Sequence, residues 1–233
     1  MNDLYDIWKT LDKNNIATDA RTRSEISNFI QAAKSRKIQN FSDLLARFSE
    51  FTNKQRNLGI WLFGRLRNRK AVPLLLTLLN DENNEAWEIC SSLGLLGGKK
   101  ALQGLKDKLE KEKNADTRRA IVHVFSFVGF DKSIAETLIH LAGNRRESSS
   151  IRALAAEGIG LIFQGSKDEP AALYRDAHKC LLGLRKNKDP EIRFNAYFAL
   201  YYLRRMEKDC EQRSRQGKTG GRKGNERGHS NMP

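Results

Sequence analysis

The sequence predicts an all-α solenoid of about five to six stacked helical hairpins. Three observations predict it: one residue pattern recurs five times, apolar residues fall at helical spacing throughout, and the composition suits a thin fold. Of 233 residues, 39% are hydrophobic, 30% are charged and only four are proline. A repeat array buries only the seam between neighbouring units, so it needs fewer apolar residues than a thick globule.

The recurring segments read RNLGIWLFGRL from Arg56, AWEICSSLGLLG from Ala86, RRAIVHVFSFVG from Arg118, RALAAEGIGLIF from Arg152 and RFNAYFALYYL from Arg193. Counting the first residue as an anchor, position +8 holds Gly64, Gly94, Ser126, Gly160 and Tyr201. Successive anchors are 30, 32, 34 and 41 residues apart, a spacing that fits one helical hairpin per repeat. Glycine inside a helix costs about 1 kcal/mol relative to alanine. Its return at one register, with Ala155 and Ala156 nearby, therefore signals helices that approach closely.

A second amphipathic stretch follows four of the segments: AVPLLLTLL from Ala71, ALQGLKDKLEK from Ala101, SIAETLIHLA from Ser133 and PAALYRDAHKCLLGL from Pro170. Val72, Leu75, Leu76 and Leu79 fall at helical spacing. Pro73 and Pro170 stand where a first helical turn tolerates a missing N–H. Each unit thus reads as helix A, a tight turn, helix B and a loop. One unit cannot bury its apolar face alone, and stacking supplies the missing contacts.

The remaining elements follow in order. Residues 1–20 hold a capping helix from Asp3 to Leu11 that buries Leu4, Ile7, Trp8 and Leu11. The repeat array occupies 21–206 and begins with the pair SEISNFIQAAK and FSDLLARFSEF. Its last helix A ends near Met206, and 207–233 form a basic, flexible tail. The stretch from Gln212 to Pro233 is Gly-rich and carries six Lys or Arg against one Glu, with no apolar anchor to fold it.

The string from Arg56 to Gly64, followed by AVPLLLTLLNDEN, resembles the HEAT-like repeat of the phycocyanin bilin lyase type. The resemblance covers roughly residues 22 to 206 and is strongest from 56 to 160. It departs at Ala86, where the anchor arginine is missing, and in the long unit before Arg193. It implies an α-solenoid; lyases, scaffolds and regulators all occur on this fold, so function must come from a site. It also implies that the anchors Arg56, Arg118, Arg152 and Arg193, with Asp116 and Asp189, are structural and tie adjacent loops together.

Net charge is +14, from 42 Lys and Arg against 28 Asp and Glu. Such a surplus attracts acidic protein faces, nucleic acid or anionic membranes. The A-to-B turns, which share one edge of a solenoid, concentrate it: Arg65, Arg67, Arg69 and Lys70 in the first, Lys99 and Lys100 in the second. The third balances Asp131 against Lys132, and Asp168 and Glu169 follow Lys167 in the fourth. These cations either cap helix C-termini or form a binding ridge. The B helices offer a second surface, with Lys106, Lys108, His140, Arg175, His178 and Lys179 expected to be exposed. Asp107, Glu110, Glu136 and Asp176 interrupt it, so it is either a solvated mixed face or a groove for an anionic partner.

Nothing reads as catalytic. GLLGGKKA is one residue short of a phosphate-binding Walker loop, GKT at Gly217 lacks its leading glycine, and no nucleophile elbow occurs. His178 and Cys180, two apart on a helix, lie on different faces, His123 is expected in the core, and none has metal-ligand spacing. No cofactor is expected. Cys90, Cys180 and Cys210 are too few for a disulfide framework, and no apolar run is long enough to span a membrane, so a cytoplasmic location is expected. The leading expectation is a non-enzymatic scaffold that docks a protein partner with an acidic face. Nucleic-acid binding is the alternative, and a bilin-lyase-like enzyme or chaperone subunit follows from the resemblance alone.

Overall fold

Helix starts in this chain are set by polar side chains placed just ahead of them. The Asn40 side chain accepts from the Asp43 N–H, Asn114 from Asp116 and Thr117, Asp131 from Ile134, and Ser148 from Ile151. Thr52 and Gln55 complete a reciprocal capping box. Each cap satisfies an N–H that has no partner within its helix and contributes about 1 kcal/mol.

The computed structural model describes residues 20–80, 85–164 and 171–220, with side chains from 22 to 205. The expected helix at Asp3–Leu11, the loop at 81–84, the turn at 165–167, Pro170, the residues beyond 220 and the Cys210 side chain lie outside that description. Regular structure among the described residues is entirely helical, as an all-α solenoid of helical hairpins requires.

The chain divides into two units, Met1–Val128 and Gly129–Pro233. The first holds α1 (Ala20–Ser35), α2 (Phe41–Ala46), α3 (Asn53–Arg65), α4 (Val72–Leu78), α5 (Ala86–Leu96), α6 (Gly98–Lys111) and α7 (Ala115–Phe125). Its A helices pack in a row, α1 on α3, α3 on α5 and α5 on α7, while α4 packs on α6 in a B row. The second holds α8 (Lys132–Gly143), α9 (Ser149–Phe163), α10 (Ala171–Leu184) and α11 (Pro190–Gly220). There α9 packs on α11, and α8 on α10.

The position +8 glycines lie at the A–A contacts. A Cβ on Gly64 would stand 2.8 Å from Ser92 Cα, one on Gly94 2.6 Å from Val124 Cγ1, and one on Gly160 2.7 Å from Ala199 Cα. This closeness permits hydrogen bonds between neighbouring A helices. The buried Ser92 hydroxyl donates to the Ile60 carbonyl at 2.8 Å, and the Asn195 amide donates to the Ala153 carbonyl at 3.1 Å.

The anchor arginines reach back to the preceding B segment. Arg118 donates to the Leu109 and Glu112 carbonyls at the end of α6, at 2.6 and 3.1 Å. Arg152 donates to Ala142 in α8, and Arg193 to Asn187 and Lys188 after α10. Arg118 and Arg152 thereby satisfy carbonyls left open where a helix ends, and Arg193 satisfies carbonyls of the loop that follows α10. Arg56 differs: it bonds the Asn53 side chain, and its Nε is buried without a partner. Asp189 caps α11 through the Glu191 and Ile192 N–H groups. The Ser149 side chain also bonds its carboxyl, which, ahead of the backbone bonds, holds it below the usual carboxylate range. That bond, rather than an Asp–Arg pair, joins the two loops.

One boundary differs from the sequence reading. The last helix continues to Gly220 instead of ending near Met206. Residues 191–216 contain neither Gly nor Pro, so no local signal stops it.

Gly160→Ala should lower stability by about 1–3 kcal/mol, because the methyl meets backbone that cannot yield. Gly183→Ala in α10, with open space around its Cβ position, should instead raise stability by about 0.5–1 kcal/mol. Denaturant unfolding of both variants checks the contrast. Arg118→Met should cost about 1.5–3 kcal/mol, the range for hydrogen bonds from a charged donor. Arg119→Met, at a half-exposed side chain only loosely paired with Asp116 at 3.8 Å, should stay within about 0.5 kcal/mol.

Candidate partner-binding edge

Tight turns place the basic residues of the first unit. Helix α3 ends at Arg65, and Arg67 follows in the left-handed region at φ 51°. A short 3-10 turn, Arg69–Ala71, then leads into α4, with the Asn68 side chain accepting from the Lys70 N–H. Between α5 and α6 the single residue Gly97, at φ 58°, turns the chain. Gly98 adopts φ 79° and opens α6, and no side chain caps that helix.

The A–A spacing brings these two turns together. The Arg69 guanidinium carbon lies 3.5 Å from where a Cβ on Gly98 would stand, and Lys99 and Lys100 follow directly. Arg65, Arg67, Arg69, Lys70, Lys99 and Lys100 are all exposed, and none forms an ion pair with a described residue. Arg65 stacks over the Trp61 ring at 5.5 Å, which orders its guanidinium without neutralising it.

The B-helix residues are not gathered in this way. Lys106 is half-buried and already engaged. Lys108, expected to be exposed, is half-buried and bonds Glu112 at 2.7 Å. It lies where α6 packs against α4, and it is the first cause of the lowered Glu112 carboxyl. The groove between those helices, about 260 Å³, is lined by Leu76, Leu79, Asp107, Lys108, Lys111 and Glu112, a surface of both signs. In the second unit Arg175 and Lys179 are exposed on α10 beside exposed Asp176, and His178 stacks on Tyr174. A further cleft of about 420 Å³ lies between α1 and α3, at the opposite end of the A helices from the basic turns. It includes Glu25 and Lys54, which pair at 3.6 Å.

His123 is not a core residue. It is half-buried, edge-on to Trp87 at 5.2 Å and to Phe127 at 4.9 Å. Both rings are exposed, because α7 turns this side toward solvent. Burial pushes the Cys90 thiol up to about 12, so it carries almost no thiolate at neutral pH. Cys180 donates a weak bond to the Ile139 carbonyl, and its thiol is likewise raised by burial. Among the described residues no three His, Cys, Asp or Glu converge as metal ligands would, and no helix is long and apolar enough to cross a membrane.

The sequence reading missed the exposed aromatic residues. Trp87 and Phe127 flank His123, and Phe194, Tyr197, Phe198 and Tyr201 lie along α11. At helical spacing such residues look like core, so their exposure is visible only once the neighbouring helices are placed.

No curated protein matches the chain significantly. Residues 41–126 match the family model for HEAT repeats, at the level of HEAT repeats in general and not of the bilin-lyase type. That segment runs from α2 to the end of α7 and contains both basic turns. With A helices seated on A helices through small residues, and B helices on B helices, residues 41–126 are HEAT repeats.

Proposed function

We propose that this protein is a non-enzymatic scaffold that docks an acidic protein face on the A-to-B turn edge of its first unit. The observation that carries the reading is the set of six exposed cations from Arg65 to Lys100, gathered by the contact of Arg69 with Gly98. Helix capping does not account for it. Only Arg65 lies in the last turn of α3, whereas Lys99 and Lys100 sit in the first turn of α6, where the helix dipole disfavours cations.

Arg67 adds a second argument. A left-handed conformation costs a non-glycine residue about 1–2 kcal/mol, and Gly97 and Gly129 take positive φ in the next two turns. Arg67 at a position that the next turns fill with glycine agrees with a role in contacts outside the chain, although Lys37, which is not among the six, adopts the same conformation. HEAT repeats commonly serve as interaction scaffolds, which agrees with this reading. The uncapped start of α6 beside Arg69, Lys99 and Lys100 would also suit phosphate, which keeps nucleic acid as the second reading.

Affinity purification from the native host, with and without nuclease, separates the two. A stoichiometric protein that survives nuclease supports the proposal. Bound material that disappears with nuclease, and whose affinity falls steeply with salt, supports nucleic acid instead. Reversal of Arg65, Arg67, Arg69 and Lys70 to Glu should weaken capture of the protein partner at least about 30-fold. Arg67→Gly should weaken it about threefold to tenfold with no loss of thermal stability. Unchanged capture by the fourfold reversal would remove the edge from consideration.

A further inference from the structure

Helix α11 leaves open the face that corresponds to the one with which α9 receives it. In α9, positions +1, +4 and +8 from the anchor are Ala153, Ala156 and Gly160, all buried. Ala153 accepts the bond from Asn195, and Gly160 meets Ala199. The same positions of α11 are Phe194, Tyr197 and Tyr201, with Phe198 beside them. These four are 60%, 57%, 55% and 41% exposed, in that order. Their rings form one surface: Phe194 and Phe198 lie 4.6 Å apart between centroids, and Tyr197 and Phe198 6.0 Å.

Here roughly 400 Å² of aromatic surface is open, taking about half of a ~200 Å² side chain for each ring. Rings of this size also prevent the backbone approach that Gly160 allows, so another repeat cannot stack on α11 as α11 stacks on α9. The cover must meet the rings side chain to side chain.

The charges on either side of the rings indicate which partner does so. Exposed Glu191 lies about two helical turns before the centre of the stripe, and exposed Arg204 and Arg205 about two turns after it. The ring spacing 194, 197, 198, 201 reads the same in both directions. When two copies of α11 are laid antiparallel, Phe194 therefore meets Tyr201 of the other copy and Tyr197 meets Phe198. Glu191 then falls level with Arg204 and one residue from Arg205, at both ends. A parallel pair would set Glu191 against Glu191 and the arginines against each other, which is unfavourable.

We infer that α11 is a self-association face, on which a second copy of this chain packs its own α11 antiparallel through Phe194, Tyr197, Phe198 and Tyr201. The rings of both copies together bury about 800 Å², and the flanking ion pairs add to that. The total falls at the small end of specific interfaces, so the dimer is reversible, with a Kd of about 10 µM.

Sedimentation equilibrium of the full chain, from about 1 to 200 µM at physiological salt, tests it. The wild-type chain should show a monomer–dimer equilibrium, and Tyr197→Glu, with helix content unchanged by circular dichroism, should remain monomeric. Glu191→Arg and Arg204→Glu should each weaken dimerisation about tenfold, since each sets two like-charge pairs in the symmetric interface. The two substitutions combined should return the affinity to within about threefold of wild type. A wild-type chain that stays monomeric throughout, a Tyr197→Glu chain that dimerises as wild type does, or a combined variant no better than the single reversals would each overturn the inference.

Discussion

Close approach of consecutive A helices is the constraint on which the rest of the structure depends. Gly64, Gly94 and Gly160 stand where even one methyl group would meet the next A helix. Leaving that methyl out forfeits about 1 kcal/mol of helix propensity at each position. The gain is a seam tight enough for the Ser92 hydroxyl to reach a carbonyl of α3, and for Asn195 to reach one of α9. Buried polar groups of this kind are tolerated only when bonded, so the hydrogen bonds and the small residues support one another. Stacked repeats gain stability from such nearest-neighbour terms.

The charge distribution follows from the seam. When α3 and α5 lie close, the turns that leave them are neighbours as well. The cations of one turn then stand beside those of the next, with Arg69 against Gly98 as the point of contact. Dispersed over a larger surface, the same six charges would be screened from one another at physiological salt, where the Debye length is about 8 Å. Gathered on one edge, they produce a field that steers an acidic surface toward it. The B row of this unit shows the contrast: Lys108 and Glu112 neutralise each other, and acidic and basic residues alternate along the groove.

Much of this was legible in the residues. The glycine register announced the A–A contacts, Pro73 marked the first turn of α4, and the cluster of Arg and Lys between Arg65 and Lys70 marked a turn rather than a helix face. The anchor arginines stood out by position, but their partners did not. Backbone carbonyls at a helix end carry no sequence signature, so a loop-to-loop ladder with Asp was the natural reading. Lys108 looked solvent-facing because nothing in its own helix shows that α4 packs beside it. His123 looked buried because an apolar helix surrounds it in sequence, whereas Trp87 and Phe127 hold it at the surface. The aromatic stripe of α11 was the least legible feature. Its spacing is that of a core face, and only the helix that would cover it decides whether it is one.

Hydrogen–deuterium exchange of the protein with its captured partner bound tests the central claim most directly, since it maps contacts without altering any residue. Protection confined to the segments around 65–71 and 97–101, with the B helices α4 and α6 unchanged, is the result expected of a partner docked on the turn edge. Protection centred on α4 and α6, with those turns exchanging as in the free protein, would contradict it.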